Sequence, residues 1–174
     1  MINFKQYLEE GRDAPLYHST QVKNAAKILK NNSLKPLTTQ EFATKHNKEI
    51  SNKTLKGVSL TRSLNFAHEY WDGIIFELDQ SKLVHNHQIV PFNYFASGVE
   101  KTSKNPARFS DKKYRDMNEF EEFVVGEIKP LSRYITKVIC TSRVFENLSN
   151  FADDEVAIII NHPKLYIGGK FINA

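Results

Sequence analysis

Two acids stand at the mouth of an apolar run, Glu121-Glu122-Phe123-Val124-Val125-Gly126-Glu127-Ile128. A carboxylate fixed at such a place suits glycosidic chemistry. Cleavage of a glycosidic bond passes through an oxocarbenium-like state, and a nearby carboxylate lowers its energy. The same group can hold a ribose hydroxyl and orient the sugar. Successive strand residues face opposite ways, so only one of Glu121 and Glu122 can serve, and Glu122 is the candidate. The plain alternative is the solvent-facing start of a strand.

Upstream, Leu16-Tyr17-His18-Ser19-Thr20 places a histidine beside an apolar pair. A neutral imidazole both donates and accepts, which suits a ribose hydroxyl, although a histidine here can equally be a structural hydrogen-bonder. The backbone of Ser19 would border the same cleft. Between these blocks lies Gly57-Val58-Ser59-Leu60-Thr61-Arg62-Ser63, with two hydroxyls and a guanidinium. Tyr70 and Phe66 follow one helical turn apart, for core packing or for stacking on a flat heteroaromatic ring. His85-Asn86-His87 alternates like zinc ligands, but no cysteine or nearby acid completes a site, so no metal is expected. No glycine-rich phosphate loop has the required spacing.

The elements that must position these residues are short. Periodicity predicts helices over 3–10, 22–30 and 64–71, the last capped by Ser63. Strands are expected at Leu16-Tyr17-His18, Val58-Ser59-Leu60-Thr61, Ile74 to Leu78, 122–128, 134–141 and 155–160. A shorter strand within His87 to Tyr94 is interrupted by Pro91. Asp79-Gln80-Ser81 reads as a turn, and Tyr166-Ile167 with Phe171-Ile172 as a hairpin. Residues 96–117 read as a polar loop. Many short strands, few helices and no βαβ alternation give an α+β class.

The chain has 174 residues, which suits one domain over 1–174 with residues 1–13 as a helical lead-in. Forty per cent of residues are hydrophobic, enough to argue against disorder over most of the length. No apolar run approaches a membrane span, so no membrane partner is expected. Cys140 is the single cysteine, which excludes an intramolecular disulfide and fits a reducing cytoplasm; after Val138-Ile139 it reads as a core residue. The net charge of +4 is mild, but Lys101, Lys104, Arg108, Lys112, Lys113 and Arg115 fall in one segment. That segment is either a solvated loop or a contact for phosphates or an acidic protein.

The three blocks, in this order, resemble the signature of NAD-dependent ADP-ribosyltransferases. Glu122 to Ile128 is similar to the catalytic-glutamate strand of the poly(ADP-ribose) polymerase branch. Leu16 to Ser19 is similar to its histidine block, and Gly57 to Thr61 to its third block, with Ser59 where that branch carries a tyrosine. Leu16 to Leu34 and the Glu122 strand also resemble DNA-modifying toxins of toxin–antitoxin systems. Phe4 to Glu10 is similar to the starts of many tailed-phage proteins. The resemblance implies a split α+β fold with two packed sheets around an NAD cleft. It implies His18 on the adenosine ribose, the Ser19 backbone on the nicotinamide amide and Tyr70 stacked on its ring. Ser59, Thr61 and Arg62 would line the cleft, with Arg62 as an anion contact. Glu122 would hold the nicotinamide ribose and support transfer. The implied activity is transfer of ADP-ribose from NAD to a macromolecule, protein or nucleic acid, by a monomer. In a phage-encoded chain it would act in the host cytoplasm. Simple NAD hydrolysis and a catalytically inactive binding or virion module are the alternatives. An RNA 2′-phosphotransferase would need several cleft arginines, and Arg62 is the one well placed.

Overall fold

The computed structural model describes residues 15–38, 56–62, 64, 67, 73–91, 121–167 and 170–171. The expected helices over 3–10 and 64–71, Tyr70 and the basic segment 101–115 lie wholly or mostly outside them. The chain is mixed α+β. Its strands are β1 (Leu16–Thr20), β2 (Leu37–Thr38), β3 (Lys56–Thr61), β4 (Ile74–Leu78), β5 (Ile89–Pro91), β6 (Glu121–Val125), β7 (Ile135–Cys140), β8 (Leu165–Ile167) and β9 (Lys170–Phe171). The helices whose bounds the described residues give are α1 (Val22–Asn31), α2 (Gln80–Val84), α3 (Ser142–Glu146) and α4 (Asp153–Ile160).

The described strands form one hydrogen-bonded sheet in the order β5-β6-β3-β1-β4-β7-β8-β9, with β2 on β3, in place of two separate sheets. The pairs are antiparallel except β7–β8. The joint between β1 and β3 is the narrowest near the site, recorded at Tyr17 opposite Thr61 alone. On its two sides the ladders are long: β1 pairs with β4 from Leu16 to Thr20, and β3 with β6 from Gly57 to Thr61. That single pair is what makes two half-sheets one.

Alternation along the strands sorts side chains onto two faces. One face carries Leu16, Leu60, Phe76, Val124 and Val138, under Val22, Ala25 and Ala26 of α1 and Ile159 of α4. The other carries Tyr17, Ile75 and Ile139, with Ala67 against them. α1 ends where Asn32 takes a left-handed conformation (φ 51°) and its N–H reaches back to the carbonyls of Ile28 and Leu29.

Two sequence expectations need correction. Residues 155–160 are the body of helix α4, not a strand. Asp153, Asp154 and Glu155 fill its first turn, where the helix dipole favours negative charge. Val156, Ile159 and Ile160 follow i, i+3, i+4 spacing and pack on the core, which outweighs their β-branched preference. A parallel β7–β8 pair also demands a crossover, which α3 and α4 supply. Asp79-Gln80-Ser81 is not a free turn but the cap and first residues of α2, with the Asp79 carboxylate accepting from the Lys82 N–H at 3.1 Å. Burial pushes the Asp79 carboxyl upward, but donation from Ser81 and Lys82 outweighs it and holds the group at about 2. Helix α3, capped by the Thr141 hydroxyl on Val144 N–H, was not foreseen.

Gly57 fixes how closely β3 and β6 lie. A Cβ there would strike the Phe123 ring and the Val124 carbonyl oxygen. Gly57→Ala is therefore expected to destabilise the protein by about 1–3 kcal/mol, the usual cost of overpacking. Urea unfolding reads this as a lower midpoint, and an unchanged midpoint would show that the two strands are not so closely apposed.

Candidate functional site

His18 sits on β1, half-buried, with its ring parallel to that of Phe76 on β4 (6.5 Å between centroids, 3° between planes). Its Nδ1 lies 3.1 Å from the Ser59 carbonyl oxygen across the narrow β1–β3 joint. A carbonyl only accepts, so Nδ1 carries the proton and donates. Nε2 is then the lone-pair nitrogen; among the described residues it has no hydrogen-bond partner, and it is not a fully buried atom left without one. Burial lowers the ring's pKa below 6.5, and the Ser59 bond opposes that only in part. At neutral pH the ring is uncharged and presents one acceptor.

Glu122 lies on the same face. It pairs with Leu60 across β3–β6, and the Tyr17–Thr61 pair puts His18 level with Leu60 from the other side. Leu60 thus separates the two residues, and two strand spacings put their backbones about 10 Å apart. Glu121 occupies the alternate register position, opposite Thr61.

Glu122 is 2% exposed and does not stand alone. Arg62 follows the last residue of β3, and its Nε donates to Glu122 Oε1 at 2.6 Å. Its Nη1 donates to Gln80 Oε1 at 2.8 Å, at the start of α2. Gln80 is as buried as Glu122, and the Arg62 side chain is 11% exposed. One guanidinium therefore joins β3, β6 and α2 across the core face. The pairing was not legible from spacing, because Arg62 and Glu122 are sixty positions apart. Gln80 carried no signal beyond its place after the Asp79 cap.

The other candidates divide by face. His18, Arg62 and Glu122 share the main core face. Ser59 and Thr61 alternate with Leu60 and belong to the opposite one, so their hydroxyls do not join the His18–Glu122 group. Ser59 reaches His18 through its carbonyl instead. Ser19 pairs with Ile75 in the β1–β4 ladder, and its Oγ is buried without a hydrogen-bond partner. Near it, the opposite face has a polar knot of its own: Glu77 accepts from Thr136 Oγ1 at 2.7 Å and Lys137 Nζ at 3.0 Å. Lys137 also lies 5.5 Å from the Tyr166 ring centre. Burial, then the charge of Glu77 and its hydrogen bond, raise the Tyr17 phenol. These contacts brace β1, β4 and β7.

Among the described residues no three of His, Cys, Asp and Glu are placed to hold a metal, and no helix is long and apolar enough to cross a membrane. His87 packs edge-on against Tyr134, 5.6 Å between centroids. Cys140 is buried, and burial pushes its thiol to about 12, far from a nucleophile's range.

Removing one partner of a buried ion pair strands the other charge. Arg62→Ala should cost about 3–5 kcal/mol in urea unfolding. Adding Glu122→Gln to that variant should recover part of the loss, and additive losses would contradict the pairing. His18 predicts a pH dependence. Its folded pKa lies below the unfolded value of 6.5, so the unfolded chain takes up the proton first as pH falls. The stability present above pH 6.5 is lost as pH drops through it. His162, lowered by burial and then by Lys164, acts in the same direction. Unfolding at pH 7.5 and pH 5 should show a smaller pH difference in His18→Gln than in the parent, and an equal difference would place His18 in water. No family model matches the chain, and no curated protein matches it.

Proposed function

We propose that the chain is an NAD-dependent ADP-ribosyltransferase that moves ADP-ribose to a macromolecular acceptor and releases nicotinamide. The observation that carries this reading is the shared face of His18 and Glu122, with His18 held so that Nε2 accepts. In this reading Nε2 takes a hydrogen bond from a ribose hydroxyl of NAD. Glu122 holds the nicotinamide ribose and offsets the positive charge that develops at its anomeric carbon. Nicotinamide leaves with the electron pair of the N-glycosidic bond. A nucleophile of the acceptor then bonds to that carbon and gives up its proton. Arg62 fixes the carboxylate against β3. The single pair joining β1 to β3 supports a split fold whose halves meet beside His18. The compartment that fits is a reducing cytoplasm, the host's if the chain is phage-encoded, and the active form is a monomer.

A second reading is favoured by a different observation. Glu122 is buried and already neutralised by Arg62. In that reading the same fold is a catalytically inactive binding module, and the ion pair is structural.

Incubation with labelled NAD and cell lysate separates the two. The transferase reading predicts released nicotinamide and label on a macromolecule, which protease or nuclease digestion then assigns. Glu122→Gln should reduce both about a hundredfold or more, as for loss of a group aimed at transition-state charge. Nicotinamide release without transfer would mean an NAD glycohydrolase. Neither release nor NAD binding by the unaltered chain would leave the binding-module reading.

A further inference from the structure

α1 turns Val22, Ala25 and Ala26 to the core, which leaves Lys23, Lys27 and Lys30 exposed. At 3.6 residues per turn these three lie within an arc of about 60° and span about 10 Å along the helix. The stripe runs to the helix end. There the Asn32 carbonyl accepts from Leu131 N–H at 2.9 Å, and its side chain accepts from Ser132 N–H at 2.6 Å. Leu34 pairs with Ile128 beside it. Exposed Lys35, Lys129 and Arg133 flank these contacts and extend the stripe beyond Lys30.

Among the described residues these six cations have no carboxylate partner. The ion pairs Arg62–Glu122, Lys82–Asp79 and Lys137–Glu77 involve none of them. Residues 22–38 contain four lysines and no acid. Glu127, a nearby carboxylate, accepts from the Ser33 hydroxyl and forms no ion pair with these cations. The acids in the first turn of α4 form no ion pair with α1, although the two helices pack together. Lys23 with Lys27, and Lys27 with Lys30, are like charges at i, i+4 and i, i+3, each mildly destabilising on a helix. A polyanion laid along the stripe relieves that repulsion.

We propose that this surface binds the phosphate backbone of a nucleic acid. A row of cations one helical turn apart, continued by a guanidinium, matches a chain of regularly repeated phosphates. A membrane surface fits less well, because the exposed side of α1 carries Asn24 and Asn31 between its lysines and no apolar anchor. The surface is separate from the NAD reading, and its test requires no catalytic activity.

Fluorescence anisotropy with labelled 24-nucleotide DNA and RNA, single-stranded and duplex, tests it on the full chain. Binding is expected at 50 mM salt. With all six cations engaged, the slope of log K against log salt approaches about −5 on duplex DNA. The variant K27E/K30E/R133E should bind at least tenfold more weakly with a shallower slope. K27R/K30R/R133K should bind as the parent does, which separates lost charge from a misfolded surface. No binding to any of the four probes, parental affinity in the charge-reversed variant, or stronger binding to phosphatidylglycerol vesicles than to nucleic acid would overturn the proposal.

Discussion

Arg62 leaves β3 just past its last paired residue and reaches two ways, to Glu122 on β6 and to Gln80 at the start of α2. All three side chains are withdrawn from water, so the arrangement is stable only while each partner is present. The guanidinium suits this task because it is planar and holds several donors in fixed directions. A lysine would place one point charge and could not serve both acceptors with the same geometry. Three elements far apart in sequence are thereby set against one another at one end of the sheet. The orientation of Glu122 follows from this contact, and any chemistry assigned to that carboxylate must be compatible with it.

A second constraint acts one strand away. β1 and β3 pair at Tyr17 and Thr61, and the His18 side chain takes the Ser59 carbonyl. Imidazole thus supplies a donor that a backbone ladder would otherwise provide. The same bond selects the tautomer, so a structural need and a binding competence reside in one ring. The opposite face is braced separately by Glu77, Thr136 and Lys137.

Much of the strand framework was legible because its apolar runs are short and bounded by turn residues. β1, β3, β4, β6, β7 and the β8–β9 pairing, with Tyr166 opposite Phe171, follow the sequence pattern. α4 was misread because Ala157-Ile158-Ile159-Ile160 carries strand-forming side chains, while the i, i+3, i+4 set and the three preceding acids were the better signal. Alternation separates Glu121 from Glu122 in any strand. Which of the two registers shares a face with His18 depends on pairing through β3, a long-range fact that spacing cannot carry. The same limit hid the Arg62–Glu122 pair and the alternation of Ser59 and Thr61 onto the face opposite Glu122. Tyr70 and the 101–115 segment lie outside the described residues, so the nicotinamide-stacking role and the contact role of the basic segment rest on the sequence alone.

The central claim is that His18 is a neutral, Nδ1-protonated imidazole whose Nε2 receives a hydroxyl of NAD. Nitrogen-15 NMR of labelled histidine, assigned with His18→Gln and titrated with NAD at pH 7, reads both nitrogens directly. The account predicts a protonated Nδ1 and a bare Nε2 in the free protein, with the Nε2 signal moving toward a hydrogen-bonded value as NAD saturates. A protonated Nε2 in the free protein, or an unmoved signal at saturating NAD, would contradict it.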